Sequence, residues 1–300
     1  MEASAINPGD KAFIGGLFPH GSQHEICGVS GVGKVIDIGE GVPPEIKGRN
    51  VAIYRSLKFT SQIIGTWSEY VQMHSQNCVL LPNDVTPIEY SGSLVNVITP
   101  YAFLKQIQNE GHIGVICTAG NSASGRAMLG LCKACEVPII TFVRDERGEN
   151  ELKELGAENI LVKSDTEFET KLENLSSKLN TTAVFDGVGG DLISLVAKVI
   201  PKNSTIYTYG FLGGEKPLTI HTSVILMKGL TITGFGNFTS EKVTNPVKLR
   251  TALNNLTEII HMPHFKTKVG ELFTIEKITS ALQYSSQNGE KAVLIFQQNN

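Results

Sequence analysis

The chain has 300 residues, 41% hydrophobic and 18% charged, with a formal net charge of −3. That balance excludes an intrinsically disordered chain, and the lack of any apolar run of about 18 residues argues against membrane insertion. A mildly acidic chain is a poor nucleic-acid binder, and the length predicts about two domains, at roughly 150 residues each.

Residues 1–95 read as β-rich. Strands are expected over 32–39, 51–54, 65–71 and 78–81, separated by glycine turns, which suggests a small, partly closed barrel. From Thr99 the texture changes. Residues 100–109 have helical periodicity, then an apolar strand covers 113–118, a Gly/Ser turn 119–125 and a helix 126–135. Strands at 137–143, 159–162, 183–186 and 205–210 alternate with helices at 147–156, 167–178 and 191–199. Such alternation predicts a doubly wound parallel sheet with helices on both faces. After 231–236, a helix over 246–260 leads to β-like segments at 267–273 and 292–296. The chain is therefore expected to return to the barrel, giving one domain from 1–98 and 237–300 and another from 99–236.

The strand–turn–helix unit at 113–135 is the strongest local signal. Backbone N–H groups in such a turn can approach a pyrophosphate, and the helix start favours the anion. The turn is not a clean G-x-G-x-x-G: Gly120 and Gly125 bracket Asn121, Ser122, Ala123 and Ser124. Arg144 and Asp145 follow the next strand, where an acid would hold a ribose hydroxyl and an arginine would pair with a 2′-phosphate. Arg144 comes first, which favours NADPH over NADH, against the plain alternative of a solvated charged loop. Gly187, Gly189, Tyr209 and Gly210 lie past the ends of two later strands. There glycine lets backbone border a ligand crevice, or simply makes a turn.

Cysteines 27, 78, 117, 132 and 135 are odd in number and scattered, so no disulfide framework is expected. Cys132-x-x-Cys135 lacks a second pair, and the reading as two small buried helix residues outweighs a redox or zinc site. His261-x-x-His264 has no partner acid at helical spacing, so no metal site is expected. Met1 to Ala5 resembles neither a secretory leader nor an Arg-rich transit peptide. The expected location is cytoplasmic, with the mitochondrion as the alternative.

Taken together, the motifs resemble the medium-chain dehydrogenase/reductase superfamily, in its zinc-free quinone oxidoreductase and enoyl thioester reductase-like branch. Ile6-Asn7-Pro8-Gly9-Asp10 resembles the family's INPSD, and Gly65 to Tyr70 its GTWAEY. Asn96 to Tyr101 resembles NPxTAY, Phe142 to Asp145 VVRD, Leu155 to Glu158 LGAE, and Asp186 to Gly190 DxVGG. The resemblance implies a Rossmann domain plus a GroES-like barrel, truncated here because the chain starts at INPSD. It also implies NADPH as cofactor, a small carbonyl substrate (quinone, enone or enoyl thioester), and a homodimer joined through the strand at 231–236. Asn7, Tyr54 and Asn96 are the candidate catalytic residues. Thr99, Ser122, Ala123, Ser124, Gly125, Arg144, Gly187, Gly189, Tyr209 and Gly210 are the candidate cofactor contacts.

Three departures bear on activity. Phe18 stands where enoyl reductases carry an active-site tyrosine and has no hydroxyl to polarise a carbonyl. Ala123 replaces the middle glycine of the cofactor turn. Gly236 follows Gly234-Phe235 where the family has tryptophan. They leave open a catalytically impaired member serving as a structural or regulatory subunit of a larger assembly.

Overall fold

The computed structural model describes residues 1–16, 26–55, 57, 65–214, 216–285 and 289–296. In chain order the first elements are β1 (Ala3–Ala5), α1 (Pro8–Ile14), β2 (Ser30–Lys34), β3 (Asn50–Tyr54), β4 (Cys78–Leu80) and α2 (Ser93–Asn109). Strands and helices then alternate through β5 (Val115–Cys117), α3 (Ala123–Ala134), β6 (Ile139–Val143), α4 (Glu146–Glu154), β7 (Ile160–Val162) and α5 (Phe168–Leu179). The alternation continues with β8 (Ala183–Asp186), α6 (Gly190–Val199), β9 (Thr205–Thr208), α7 (Thr222–Lys228) and β10 (Thr231–Gly234). The last elements are α8 (Glu241–Thr244), α9 (Pro246–Ile259), β11 (Val269–Phe273), α10 (Ile278–Gln283) and β12 (Lys291–Ile295). By contacts the chain divides into two compact units, Met1–Ile98 with Val243–Asn300, and Thr99–Lys242.

The first unit holds a six-stranded sheet in the order β11-β12-β1-β2-β3-β4. β11 and β12 run parallel and the remaining neighbours antiparallel. Ala3 to Ala5 pair with Ile295 to Val293, so strands from opposite ends of the sequence lie side by side. Ile6, Phe273, Ala281, Ala292 and Leu294 form a core cluster there, with Trp67 and Ile278 packed against it.

Two sequence expectations change in this unit. No strand forms over 65–71. The N–H groups of Gly65, Thr66 and Trp67 donate instead to the carbonyls of Ile26, Gly28 and Cys27 at 2.9, 3.0 and 3.0 Å. A Cβ on Gly65 would lie 1.9 Å from the Cys27 carbonyl oxygen, so only glycine allows this loop-on-loop contact. Helix α1 was not expected, although its start is written in the sequence. Asn7 is the N-cap, Pro8 occupies the first helical position, and the Asp10 carboxylate accepts the Asn7 N–H at 2.7 Å.

The second unit holds six parallel strands in the order β10-β9-β8-β5-β6-β7. The strands are short apolar runs, as expected of a parallel sheet covered on both faces. Leu129, Val143 and Leu152 pack under α3 and α4 on one face. Ile116, Ile140, Phe142, Val184 and Ile206 pack on the other against Leu172, Ile193 and Val196 of α5 and α6. Helix α2 starts at Ser93 and carries Pro100 inside it, earlier than the expected start at 100. An interior proline costs about 3 kcal/mol. Full burial of Leu94, Val97 and Ile98 in the preceding turns offsets it. Phe103 of the same helix lies 4.7 Å from Phe185, 5.2 Å from Tyr207 and 5.5 Å from Phe235, ring centre to ring centre. Among the described residues no helix is long and apolar enough to cross a membrane.

Candidate functional site

In the second unit β5 and β8 are neighbours, and the chain winds outward from them in both directions. Ligands of open α/β sheets bind at such a switch point, outside the carboxyl ends of the strands. Ser122 to Gly125, Arg144, Gly187, Gly189, Tyr209 and Gly210 all fall on that one edge, past the ends of β5, β6, β8 and β9.

After β5 the turn is closed by its own side chain. Ser122 is the N-cap of α3, and its Oγ accepts the Gly125 N–H at 3.0 Å. Ala123 and Ser124 begin the helix. A Cβ on Gly125 would stand 2.0 Å from the Ala119 carbonyl oxygen, and one on Gly120 2.9 Å from that of Phe142. Both glycines are thus required by close approach of backbone, the third-glycine role of the dinucleotide fingerprint.

After β8 the turn is organised by a residue that sequence reasoning missed. Asp186 is fully buried. Its Oδ1 accepts from Thr118 Oγ1 at 2.8 Å and from the N–H groups of Val188 and Gly189 at 2.9 and 3.1 Å. Its Oδ2 accepts from Thr208 Oγ1 at 3.3 Å. Thr118 Oγ1 in turn accepts the Gly187 N–H at 3.1 Å. One carboxylate therefore ties together the ends of β5, β8 and β9. The available signal was an aspartate closing a strand directly before a glycine-rich turn.

Gly189 has φ 75° and caps α6. Loop 187–190 packs against loop 209–214: Leu212 and Gly213 donate to the carbonyls of Gly187 and Val188 at 2.9 and 2.8 Å. A Cβ on Gly210 would come within 3.1 Å of the Gly187 carbonyl oxygen. The Tyr209 ring stacks on Phe185 with centres 3.9 Å apart. Its hydroxyl would meet a Cβ on Gly187 at 2.6 Å. That hydroxyl is buried and makes no hydrogen bond with the described residues. Burial first, then Cys117 and Asp186, holds it well above the usual phenol range, with Ser122 pulling the other way.

Arg144 is the first residue past β6 and is exposed. The neighbouring acid is already engaged, since Asp145 caps α4 by accepting the Gly148 N–H at 3.0 Å. Thr99 lies half-buried in α2.

The structure brings Asn7 and Asn96 together in the first unit. Asn7 Nδ2 donates to the Ala5 carbonyl at 3.1 Å and to Ser30 Oγ at 2.8 Å. Its Oδ1 accepts from Asn96 Nδ2 at 3.4 Å and from Lys291 Nζ. An amide has two donors and two acceptor sites, so internal bonds occupy all four at Asn7. Asn96 Nδ2 also donates to the Gly92 carbonyl at 2.6 Å. Tyr54 is buried and pairs directly with Ser30 across β3 and β2, which puts both on one face of the sheet. Lys291 and Asp10 complete this cluster and were not expected. Burial raises the Asp10 carboxyl above its usual range, against the N–H bonds from Asn7 and Val29. Phe18 lies outside the described residues.

Cys132 is fully buried in α3, and burial pushes its thiol well above the usual range. Cys135 caps the end of the same helix, 4.0 Å from Lys105 Nζ. Among the described residues no group of three or more His, Cys, Asp or Glu side chains could hold a metal ion.

A family model described as zinc-binding dehydrogenase matches residues 124–252. The mitochondrial enoyl-(acyl-carrier-protein) reductase of Dictyostelium discoideum is 28% identical over 99% of this chain and 84% of its own length. That of Arabidopsis thaliana is 28% identical over 78% of this chain and 62% of its own length. Among solved structures, the mitochondrial 2-enoyl thioester reductase Etr1p/Etr2p heterodimer of Candida tropicalis matches with a TM-score of 0.78 at 22% identity. That match covers 99% of this chain and 89% of that one. A candidate NADPH:quinone reductase from Bacillus thuringiensis matches with a TM-score of 0.81 at 22% identity, over 99% and 89%. With its parallel sheet, its capped turn and these relatives, the chain is similar to zinc-free members of the medium-chain dehydrogenase/reductase superfamily and shares the fold of the quinone reductase and enoyl thioester reductase structures.

Proposed function

We propose that this protein is an NADPH-dependent, zinc-independent oxidoreductase that reduces a quinone, an enone or an enoyl thioester. The observation that carries the reading is the strand-end edge at the switch point. There a side-chain-capped, uncharged helix start lies beside the buried Tyr209 hydroxyl. The relatives support the same reading, being enoyl-(acyl-carrier-protein) reductases by name, and one neighbour was solved with NADP and crotonyl-CoA.

In this reading the α3 turn from Ser122 to Gly125 holds the pyrophosphate, and Arg144 faces the 2′-phosphate. Thr99, Gly187, Gly189, Tyr209 and Gly210 border the remaining length of the nucleotide. A reduced nicotinamide supplies hydride when bound. Residues 1–98 and 237–300 are read as the substrate side. Asn7 and Asn96, with their amide protons already committed, act there as a framework, and Tyr54 is the candidate donor. Phe18 brings no hydroxyl, so quinones, whose reduced form is stable without a proton in flight, should be handled better than enoyl thioesters.

A homodimer through β10 completes the proposal. β10 ends the parallel sheet, and its four residues are exposed. Leu226 and Met227 of α7 are 77% and 72% exposed. An open edge strand flanked by apolar side chains is a template for a second copy. The proposed location is the cytosol or the mitochondrion.

The test is a fluorescence titration with NADPH and NADH, followed by 9,10-phenanthrenequinone or crotonyl-CoA. NADPH binding followed by oxidation with the quinone is expected. Arg144→Ala should weaken NADPH at least about tenfold, near 1.4 kcal/mol, and leave NADH nearly unchanged. Binding without turnover on either acceptor would overturn the activity and favour a non-catalytic subunit. A monomer by light scattering would overturn the dimer.

A further inference from the structure

We propose that Lys163 forms the second half of the 2′-phosphate clamp, so that preference for NADPH is shared between two strand ends rather than carried by Arg144 alone. The inference rests on the NADPH reading above and adds a residue to it.

β6 and β7 are parallel neighbours, and Val143 registers with Val162. The ladder runs one step further, because the Lys163 N–H donates to the Val143 carbonyl at 2.8 Å. Arg144 and Lys163 are therefore the next adjacent pair, immediately past the two strand ends. Val143 and Val162 both pack toward α3 and α4, while Phe142 and Leu161 face α5 and α6. By alternation Arg144 and Lys163 belong to the same side. Two cations are thus set side by side on the carboxyl edge of the sheet, both exposed.

The nearby acids do not neutralise this pair. Asp145 is engaged with the Gly148 N–H, and Asp165 accepts from Lys171 Nζ and from the Glu167 N–H. Among the described residues neither Arg144 nor Lys163 forms an ion pair. Like charges in adjacent register repel, and a dianionic phosphate between them reverses the sign of that interaction. Lys163 is also held in place: its Nζ lies 5.1 Å from the centre of the Phe168 ring, and Phe168 is buried against Phe142 at 4.9 Å. A lysine resting on an aromatic face loses less freedom on binding than a free one.

The probe is 2′,5′-ADP against 5′-AMP, measured by calorimetry on the full chain, so that no turnover is needed. Lys163→Ala should weaken 2′,5′-ADP about fivefold, the size of one partly screened charge contact, and leave 5′-AMP within about twofold. Lys163→Glu should weaken it further, Lys163→Arg should restore it, and Lys163→Ala should flatten its salt dependence. Both residues are exposed, so unchanged thermal melting is expected of every variant. Unaltered 2′,5′-ADP binding in Lys163→Ala, with Arg144→Ala weakened, would overturn the Lys163 assignment and leave the NADPH reading standing. Equal affinity of the unmodified protein for 2′,5′-ADP and 5′-AMP would overturn both.

Discussion

Two turns flank the switch point of the parallel sheet, and they solve the same problem in opposite ways. Each must satisfy backbone N–H groups where a buried strand turns into a helix. After β5, Ser122 does so with a neutral hydroxyl. After β8, the N–H groups of Val188 and Gly189 point back at the Asp186 carboxylate. The first turn leaves the start of its helix uncharged, whereas the second sets a fixed acid just ahead of its own helix, whose start has no side-chain cap. On the proposed reading, the phosphate sits at α3 rather than at α6. Two strand–glycine–helix units that look alike in sequence are divided by one side chain into a neutral, self-capped turn and a hydrogen-bonded brace.

The largest effect should come from removing the brace. Asp186→Ala leaves the Thr118 hydroxyl and two backbone N–H groups without their acceptor, at roughly 1–3 kcal/mol each. Urea unfolding should therefore show a loss of about 3 kcal/mol or more. A loss under about 1 kcal/mol would mean the strand ends hold together without it. Gly125→Ala comes next. Its Cβ would lie 2.0 Å from the Ala119 carbonyl oxygen, and an overpacking cost of about 1–3 kcal/mol is expected, with nucleotide binding lost through displacement of α3. Full retention of both stability and binding would show that the turn can relax around a methyl group.

Ser122→Asp sharpens the contrast directly, because it gives the first turn the acid of the second. Aspartate caps a helix about as well as serine, so the melting temperature should hold. NADPH affinity should fall at least about tenfold, near 1.4 kcal/mol. Unchanged affinity would place the anion elsewhere. The smallest effect belongs to Ser122→Ala, which removes only the cap and should cost about 1 kcal/mol in stability with little change in nucleotide preference. Chemical denaturation would check it.

Much of the second unit was legible in the residues. Short apolar strands such as Val115 to Cys117, alternating with amphipathic helices, left few arrangements other than a parallel sheet. The position of Arg144 followed from counting past one strand. The brace was not legible in the same way, because Thr118 and Thr208 lie 68 and 22 positions from Asp186. Nothing local says that either hydroxyl turns toward it. The first unit was harder. Gly65 to Val71 alternates like a strand, yet its N–H groups are taken by a loop some forty residues earlier. The proline in α2 signals a helix start, and burial of the preceding turn overrides it. At Asn7 the residue type suggested a substrate contact, while one local and three long-range partners commit the amide to the sheet.

Local chemistry was therefore sufficient wherever it acts within a few residues. Apolar period, N-caps such as Ser122 and Asp145, and the Asn7-Pro8 helix start are all written in neighbouring side chains. They determine which segments are strands, which are helices and where a phosphate could sit. Tertiary structure decided what depends on the arrival of distant chain. It placed Lys163 beside Arg144, set a carboxylate under one turn and not the other, stacked the Tyr209 ring on Phe185 with its hydroxyl buried, and closed Lys291 onto Asn7. The physical reason is the same in each case. Hydrogen bonds and charge contacts act over a few ångströms of space, and only the packed sheet converts separations of tens or hundreds of residues into distances that short.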